Sequence, residues 1–140
     1  MDKFDWFIKK QLRIKRYFRY ADDFVIVGSN PKYFKHLIGP IDNFLDIKLG
    51  LKLNPQKVEI RKFRQGIDFL GYVILPHYII LRTKTKKRMF RKIQESKTRL
   101  DQGLISRESF NQSLQSYYGI LKHCNSHKLK QKVDRCIKDF

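Results

Sequence analysis

Two adjacent carboxylates, Asp22 and Asp23, lie between two runs of residues that favour β-strands. Residues 17–20 read Tyr-Phe-Arg-Tyr and residues 24–28 read Phe-Val-Ile-Val-Gly, so the sequence predicts a hairpin with an acidic tip. Mg²⁺ takes oxygen ligands and commonly binds through one or two carboxylates together with substrate phosphates. Two such ions about 4 Å apart can activate an attacking hydroxyl and stabilise a leaving oxygen. The tip therefore carries the residue types that nucleotidyl transfer needs.

A solvated turn is the alternative interpretation of the same pair, since most adjacent aspartates are turn residues in water. The usual tight hairpin turn contains Asn-Gly or Asp-Gly, and this tip contains no glycine. The flanking strands are rich in apolar and aromatic residues on one side, which predicts a buried scaffold that fixes the tip. On spacing and context alone, both interpretations remain open.

The chain is strongly basic, with 31 Lys and Arg residues against 13 Asp and Glu residues. The formal charge of +18 predicts a polyanionic partner, because such a chain repels itself. Nucleic acid is the expected polyanion, since neutralised phosphates release counterions and supply affinity for any base sequence. A membrane surface is the alternative, but the basic residues are spread through strand-like and helical segments, and no apolar stretch approaches the ~20 residues of a spanning helix.

Length and composition predict about one domain, or one small lobe with an extension. Hydrophobic residues make up 41% of the chain, enough for a core, which argues against disorder throughout. The first residues do not lead into a signal-peptide run, and we expect Cys124 and Cys136 to be reduced thiols of a cytoplasmic protein. His123 and His127 lie nearby in sequence, but the spacing matches no common zinc site.

The hydrophobic pattern predicts a mixed α+β chain. Its first elements are a short amphipathic helix over about 3–13, the hairpin of 15–28 and a helix over 30–50 that an Asn-Pro pair begins. Gly39-Pro40 interrupts the apolar stripe of the last element, so that helix is either kinked or divided at this point.

The second half of the chain changes period. A turn is predicted at 54–57, and 58–60 alternates as one half-buried strand would. Segments 67–75 and 78–81 flank a Pro-His pair and predict a β-hairpin. From Thr83 onward the pattern is helical, with helices over about 84–102, 106–122 and 126–138.

Four segments in order resemble reverse transcriptases. Tyr20-Ala21-Asp22-Asp23 resembles their catalytic hairpin, and 53–57 (Leu-Asn-Pro-Gln-Lys) resembles the segment after the palm helix of the bacterial enzymes. Residues 66–72 (Gly-Ile-Asp-Phe-Leu-Gly-Tyr) resemble the primer-grip hairpin, and 116–126 is similar to the thumb of group II intron and diversity-generating retroelement enzymes. The sequence does not distinguish among a diversity-generating retroelement enzyme, a group II intron protein and a phage-defence enzyme.

The resemblance implies a role for each matching residue of the first two segments. Asp22 would be the principal Mg²⁺ ligand, and Asp23 a second, weaker or water-mediated one. Tyr20 and Ala21 would lie near the primer terminus. Lys57 would lie near the incoming triphosphate and act as general acid for the pyrophosphate leaving group; its alternative is a solvated turn lysine.

The third segment and the helical region would contact nucleic acid. By resemblance the primer strand would be supported by Phe69, Leu70, Gly71 and Tyr72, although Phe69 and Leu70 could equally be core residues. The first helix of the last third begins with six positive charges and no acid among them: Lys84, Lys86, Lys87, Arg88, Arg91 and Lys92. Like charges at i, i+4 destabilise a helix, so we expect a phosphate backbone to lie against them. We expect Tyr117, Tyr118 and Leu121 to pack the helical core.

The fold implied is a partial polymerase palm, comprising a catalytic hairpin, a helix and antiparallel strands, followed by an α-helical thumb. We assign 1–82 to the palm portion and 83–140 to the thumb. The implied partners are an RNA template with a DNA primer, dNTPs, two Mg²⁺ ions, and an N-terminal polymerase segment or accessory protein.

One part of the family's two-metal site has no match in this sequence. The family carries a further carboxylate on a strand upstream of the hairpin, and here Asp2 and Asp5 are the acids that precede it. Both lie in the predicted leading helix, and neither is a credible substitute. We therefore expect a C-terminal portion of a reverse transcriptase that does not polymerise alone. The alternative is a non-catalytic, basic RNA-binding remnant, which would have no need of Asp22, Asp23 and Lys57.

Overall fold

A computed structural model describes residues 2–138. They form five α-helices and two small antiparallel sheets, which confirms the predicted α+β class. The chain divides into two compact units, with the boundary between Lys62 and Phe63. Each unit has its own hydrophobic core. Within residues 2–138, no helix combines the length and the apolar character needed to cross a lipid bilayer.

The first unit begins with the predicted amphipathic helix. Helix α1, Asp2–Trp6, continues as a π-helical turn over Phe7–Gln11. The wide turn is visible in its hydrogen bonds, since the Leu12 amide donates to the Phe7 carbonyl at 3.0 Å. Phe4 and Ile8 are fully buried in this arrangement. The helix is therefore anchored in the core of the first unit.

The predicted hairpin follows as strands β1, Tyr17–Tyr20, and β2, Asp23–Ile26. Tyr20 pairs with Asp23, which leaves a loop of two residues, Ala21 and Asp22. Side chains alternate between the faces of a strand. One face of the hairpin consequently carries the core residues Tyr17 and Phe24, and the other is turned away from the core.

Helix α2, Pro31–Leu49, is continuous, which resolves the alternative left open at Gly39-Pro40. Asn30 caps it, because its side-chain oxygen accepts a hydrogen bond from the Lys32 amide at 2.9 Å. The helix ends at Gly50, whose φ of +62° is a common helix-terminating conformation. Buried residues lie on both sides of Pro40, namely Leu37, Ile41 and Leu45. Their packing holds the helix together although proline lacks the amide for an intrahelical hydrogen bond.

The strand predicted at 58–60 is wrong. Residues 58–62 have no regular secondary structure, and the two-stranded sheet of this unit contains β1 and β2. Alternating hydrophobicity makes a strand only where a partner supplies the ladder of hydrogen bonds. The turn predicted before it is confirmed: the Lys57 amide donates to the Asn54 carbonyl at 2.9 Å.

The second unit contains a three-stranded antiparallel meander of β3, Ile67–Phe69, β4, Tyr72–Ile74, and β5, Ile79–Leu81. The hairpin predicted around Pro76-His77 is confirmed as β4–β5. The run expected to be one strand over 67–75 turns back on itself at Leu70-Gly71. Both turn residues have positive φ, 53° and 82°, as a type I′ hairpin turn requires.

Three helices complete this unit close to their predicted positions: α3, Thr83–Asp101, α4, Arg107–Lys122, and α5, His127–Lys138. The sheet and the helices are joined by hydrogen bonds. The Tyr72 hydroxyl donates to the Ile120 carbonyl at 3.0 Å, and the Asn125 amide donates to the Ile79 carbonyl at 2.7 Å. The second unit therefore includes the strands β3–β5 as well as the helices. The predicted division after residue 82 into palm and thumb is a functional one, and it stays a prediction.

Two glycines of the first unit offer a matched test of this description. A methyl group at either Gly39 or Gly50 would meet nothing within 4 Å, but Gly39 is inside α2 and Gly50 has a positive φ. We expect Gly39→Ala to raise the free energy of unfolding by roughly 0.5–1 kcal/mol. Gly50→Ala should lower it by about 1–2 kcal/mol. Urea unfolding followed by the fluorescence of Trp6, the single tryptophan, measures both changes. A destabilising Gly39→Ala would contradict the continuous helix.

Candidate functional site

The hairpin tip has a strained backbone. Ala21, the first of the two loop residues, has a φ of +49°. Residues other than glycine, asparagine and aspartate seldom adopt this left-handed conformation, which costs an alanine roughly 1–2 kcal/mol. Such a conformation persists only where the surrounding structure enforces it, and it occurs preferentially at functional sites.

Arg19 contacts both this turn and helix α1. Its Nη1 donates to the Ala21 carbonyl at 2.9 Å. Its Nε and Nη2 donate to the two carboxylate oxygens of Asp5, at 2.7 and 2.5 Å. The Tyr17 hydroxyl donates to the same carboxylate at 2.7 Å. We refer to the contacts among Asp5, Arg19 and Tyr17 as the Asp5 bridge.

The electrostatics of the Asp5 bridge keep Asp5 ionised. The hydrogen bonds from Arg19, helped by the one from Tyr17, lower the pKa of Asp5 to about 2 against the opposing effect of burial. Burial, and then the neighbouring Asp5 carboxylate, raise the pKa of Tyr17 well above its usual range. The hydrogen bonds to Asp5 likewise raise the pKa of Arg19. Asp5 is thus paired with Arg19 as an ionised carboxylate.

Asp22 and Asp23 are exposed at the tip. Among residues 2–138, neither carboxylate has a hydrogen-bond or ion-pair partner in the protein. Hard oxygen donors without a partner fit a hydrated Mg²⁺ ion, which usually keeps several waters and takes one or two carboxylates. Over the same residues, no three His, Cys, Asp or Glu side chains lie close enough to share a metal ion. A metal at this tip would need its remaining ligands from water, from a phosphate or from another segment.

The outward face of the hairpin is aromatic. Cross-strand partners share a face, so Asp23 lies on the same face as Tyr20, and Val25 lies on it with Phe18. Tyr20 is 65% exposed and Phe18 57%. This places an exposed aromatic surface directly beside the second carboxylate of the pair.

Lys57 belongs to the same unit but is not joined to the carboxylates. Its side chain is exposed at the turn after Asn54. Within the described part of the chain it forms no hydrogen bond or ion pair with Asp22 or Asp23. The segment before it is tied to α2, because the Leu53 amide donates to Asp42 Oδ1 at 2.9 Å. The role predicted for Lys57 stays a prediction.

The predicted primer-grip residues of the second unit fall into two pairs. Leu70 and Gly71 form the turn. Leu70 has a strained, positive φ, and its side chain is 45% exposed. Phe69 and Tyr72 are half-buried, and Tyr72 packs against the helical core. The turn is held at its base, because the Arg82 amide donates to the Gly71 carbonyl at 3.0 Å.

Gly71 also permits a close approach. A Cβ added there would lie 3.2 Å from Oγ1 of Thr85, on the first turn of α3. The positive φ and this contact together account for a glycine at the position. The exposed turn residue Leu70 is therefore presented next to the start of the basic helix.

The basic residues of α3 are mostly on one face. Five of them follow the i, i+3, i+4, i+7, i+8 spacing that places side chains together on a helix, and all five are exposed: Lys84, Lys87, Arg88, Arg91 and Lys92. We call these five the basic face. The sixth, Lys86, is half-buried on the side of Met89. Arg91 forms an ion pair with Glu95 at 3.4 Å, so one acid borders the basic face.

The three residues of α4 that were expected to pack the helical core do so. Leu121 is fully buried, and Tyr117 and Tyr118 pack partly buried against the same core. Tyr118 also donates a hydrogen bond to Asp134; burial and this contact raise its pKa to about 12. Tyr117 additionally lines a shallow pocket with Arg88 and Lys92 of the basic face. Pattern reasoning did not find this pocket, because it depends on how α3 and α4 pack.

Comparison with known proteins relates part of the chain to an intron protein. No protein-family model matches the chain. The protein described as "Putative COX1/OXI3 intron 2 protein" of Saccharomyces cerevisiae is 36% identical over 64 residues. This match covers 45% of the present chain and 8% of the yeast protein, so the chain spans a small part of the relative's length. The predicted resemblance is confirmed at the level of similarity to an intron protein.

The Asp5 bridge predicts a pH dependence. Because the pKa of Asp5 is lowered in the folded state, its stabilisation is present above the pKa of the unfolded chain, near 4, and is lost as the pH falls through about 2. Asp5→Asn should therefore cost about 1–2 kcal/mol at pH 7, allowing for partial solvent exposure, and should flatten the stability profile below pH 4. Urea unfolding followed by Trp6 fluorescence measures this. The control is Asp2→Asn at an exposed position of α1; equal losses in both variants would refute the assignment.

Proposed function

We propose that this chain is the C-terminal palm and thumb portion of a reverse transcriptase of the intron type, acting in RNA-templated DNA synthesis. The observation that carries the proposal is the tip itself: two adjacent unpaired carboxylates, one in a strained two-residue turn that Arg19 contacts and one at the start of β2. The similarity to an intron protein supports it independently. The four segments that resemble the family also occur in the family's order.

The reaction proposed is attack of a primer 3′-hydroxyl on the α-phosphate of a dNTP, with loss of pyrophosphate. Mg²⁺ would neutralise the phosphate charge and lower the pKa of the attacking hydroxyl. Asp22 and Asp23 would hold the metal, with Asp22 as the principal ligand. Tyr20 and Ala21 would lie beside the primer terminus, and Lys57 would donate a proton to the departing pyrophosphate.

The second unit would hold the template–primer duplex. The Leu70-Gly71 turn would support the primer strand, with Phe69 and Tyr72 holding that turn on the helical core. The basic face of α3 would contact the phosphate backbone, since duplexes with A-form geometry are bound mainly through shape and backbone. Five exposed cations on one face, 84, 87, 88, 91 and 92, have the charge and spacing for that contact.

Catalysis would require a further segment. The two carboxylates of the tip make an incomplete two-metal site, and a third would come from an N-terminal polymerase segment or an accessory protein. The yeast relative extends far beyond the matched residues. The full activity is therefore proposed for the assembly that includes such a segment.

A non-catalytic RNA-binding protein is the second candidate, and the charge of +18 with its one-sided basic helix favours it. That candidate needs the basic face but not the acidic tip. The two functions therefore separate experimentally, because both would use the basic face but only the catalytic one needs the acidic tip.

Replacing Asp22 tests the catalytic proposal. In an assembly complemented with an N-terminal polymerase segment, Asp22→Asn should lower Mg²⁺-dependent dNTP incorporation by about 100-fold or more, because a carboxamide is a far weaker metal ligand. The control is Asp46→Asn, at an exposed position of α2 whose nearest ion-pair partner is 4.0 Å away. Unchanged incorporation by Asp22→Asn would exclude the catalytic role and leave the RNA-binding candidate.

Two neighbouring lysines test the nucleic-acid contact. Lys87 lies on the basic face and Lys86 does not, although both carry the same charge. Lys87→Gln should lower the slope of log affinity against log salt by about 1 for a short RNA–DNA hybrid, whereas Lys86→Gln should change it little. Fluorescence anisotropy at several salt concentrations gives both slopes. Equal slopes for the two variants would show that nucleic acid does not bind preferentially to the basic face.

A further inference from the structure

We infer that Arg19 is a positioning residue for the acidic tip: held by Asp5, it fixes the peptide plane that leads into Asp22. The inference deepens the proposed metal-binding function and rests on it. Neither Asp5 nor Arg19 would touch metal or substrate. Their effect would pass through the carbonyl group of Ala21.

The guanidinium group suits this task because its donors form a rigid planar fork. Two of its nitrogens, Nε and Nη2, bind the two oxygens of Asp5 at 2.7 and 2.5 Å. A bidentate contact of this kind fixes the orientation of the whole group. The direction of the remaining nitrogen, Nη1, is then fixed as well, and it points to the Ala21 carbonyl at 2.9 Å.

The Ala21 carbonyl is directly coupled to Asp22. A peptide group is planar, so the carbonyl of one residue and the amide of the next rotate together. Holding the Ala21 oxygen therefore holds the amide plane of Asp22. The left-handed φ of Ala21, +49°, is a conformation that alanine leaves readily unless something maintains it.

The other end of the chain of contacts is anchored in the core. Asp5 follows Phe4, which is fully buried and makes edge contacts with the rings of Tyr17 and Phe24 at centroid distances of 6.2 and 5.2 Å. Helix α1 is thereby fixed against the hairpin. The packed helix fixes the backbone of Asp5, and the hydrogen bonds from Arg19 and Tyr17 orient its carboxylate, so Asp5 is a firm reference point for Arg19.

A purely structural ion pair between α1 and β1 is the competing explanation, and two conservative substitutions separate the two. Lysine at position 19 keeps the charge and can pair with Asp5, but a single ammonium group does not reproduce the fork that also reaches the Ala21 carbonyl. Tyr17→Phe removes another hydrogen bond to Asp5 and leaves the contact between Arg19 and Ala21 intact. It is therefore the matched control.

The test uses the full 140-residue chain and two measurements. Hydrogen exchange with mass spectrometry reports the amides of residues 20–23 at the tip and those of 26–27 at the open end of the hairpin. Free Mn²⁺, measured by electron paramagnetic resonance, reports metal binding. Arg19→Lys should speed exchange at the tip about fivefold without affecting the open end. It should also weaken Mn²⁺ binding about tenfold. Tyr17→Phe should change the tip exchange and the Mn²⁺ affinity less than about twofold.

The outcomes distinguish this inference from the proposed function. Unchanged tip exchange in Arg19→Lys, or equal changes at both ends of the hairpin, would overturn the positioning role. Equal effects of Arg19→Lys and Tyr17→Phe on the tip would do the same. The metal proposal fails if the unaltered chain and the Asp22→Asn variant bind the same amount of Mn²⁺. The exchange data then still decide whether Arg19 holds the turn.

Discussion

The packing of the first unit depends on the buried side chain of Phe4. Its ring packs edge-on against Phe24, with centroids 5.2 Å apart, and lies near Tyr17 and Phe44. A buried phenylalanine contributes about 1.5–3 kcal/mol through the area it removes from water, and each aromatic pair adds about 0.5–1.5 kcal/mol. One side chain thus joins α1 to the hairpin and to α2, and this junction places Asp5 where Arg19 can reach it.

Both hairpin turns of interest follow one physical plan. Ala21 in the first unit and Leu70 in the second are non-glycine residues with positive φ. A hydrogen bond to a turn carbonyl holds each turn: the side chain of Arg19 donates to the Ala21 carbonyl, and the backbone amide of residue 82 donates to the Gly71 carbonyl. The side chain of Arg82 also forms an ion pair with Asp68 at 2.7 Å. In each unit a packed element offsets the cost of a strained, exposed turn, which is the arrangement expected of contact sites.

The sequence predicts those elements that depend on residues close together along the chain. Helix α2 and the three last helices follow from hydrophobic period and caps, and the tip at Asp22-Asp23 follows from strand-forming neighbours. The strand at 58–60 failed because pairing is non-local, so alternation alone cannot supply a partner. The pairing of Asp5 with Arg19 escaped prediction for the same reason, since it joins residues 14 positions apart on a helix and a strand.

The charge balance bears on the choice between the two candidate functions. The chain has 31 Lys and Arg residues, and yet within residues 2–138 none of them pairs with Asp22 or Asp23. A surface that binds only phosphates gains nothing from two carboxylates, because like charges repel. A divalent cation between carboxylate and phosphate reverses the sign of that interaction. If the chain binds nucleic acid as proposed, an acidic tip would therefore be favourable where a metal lies between carboxylate and phosphate, as it does in nucleotidyl transfer.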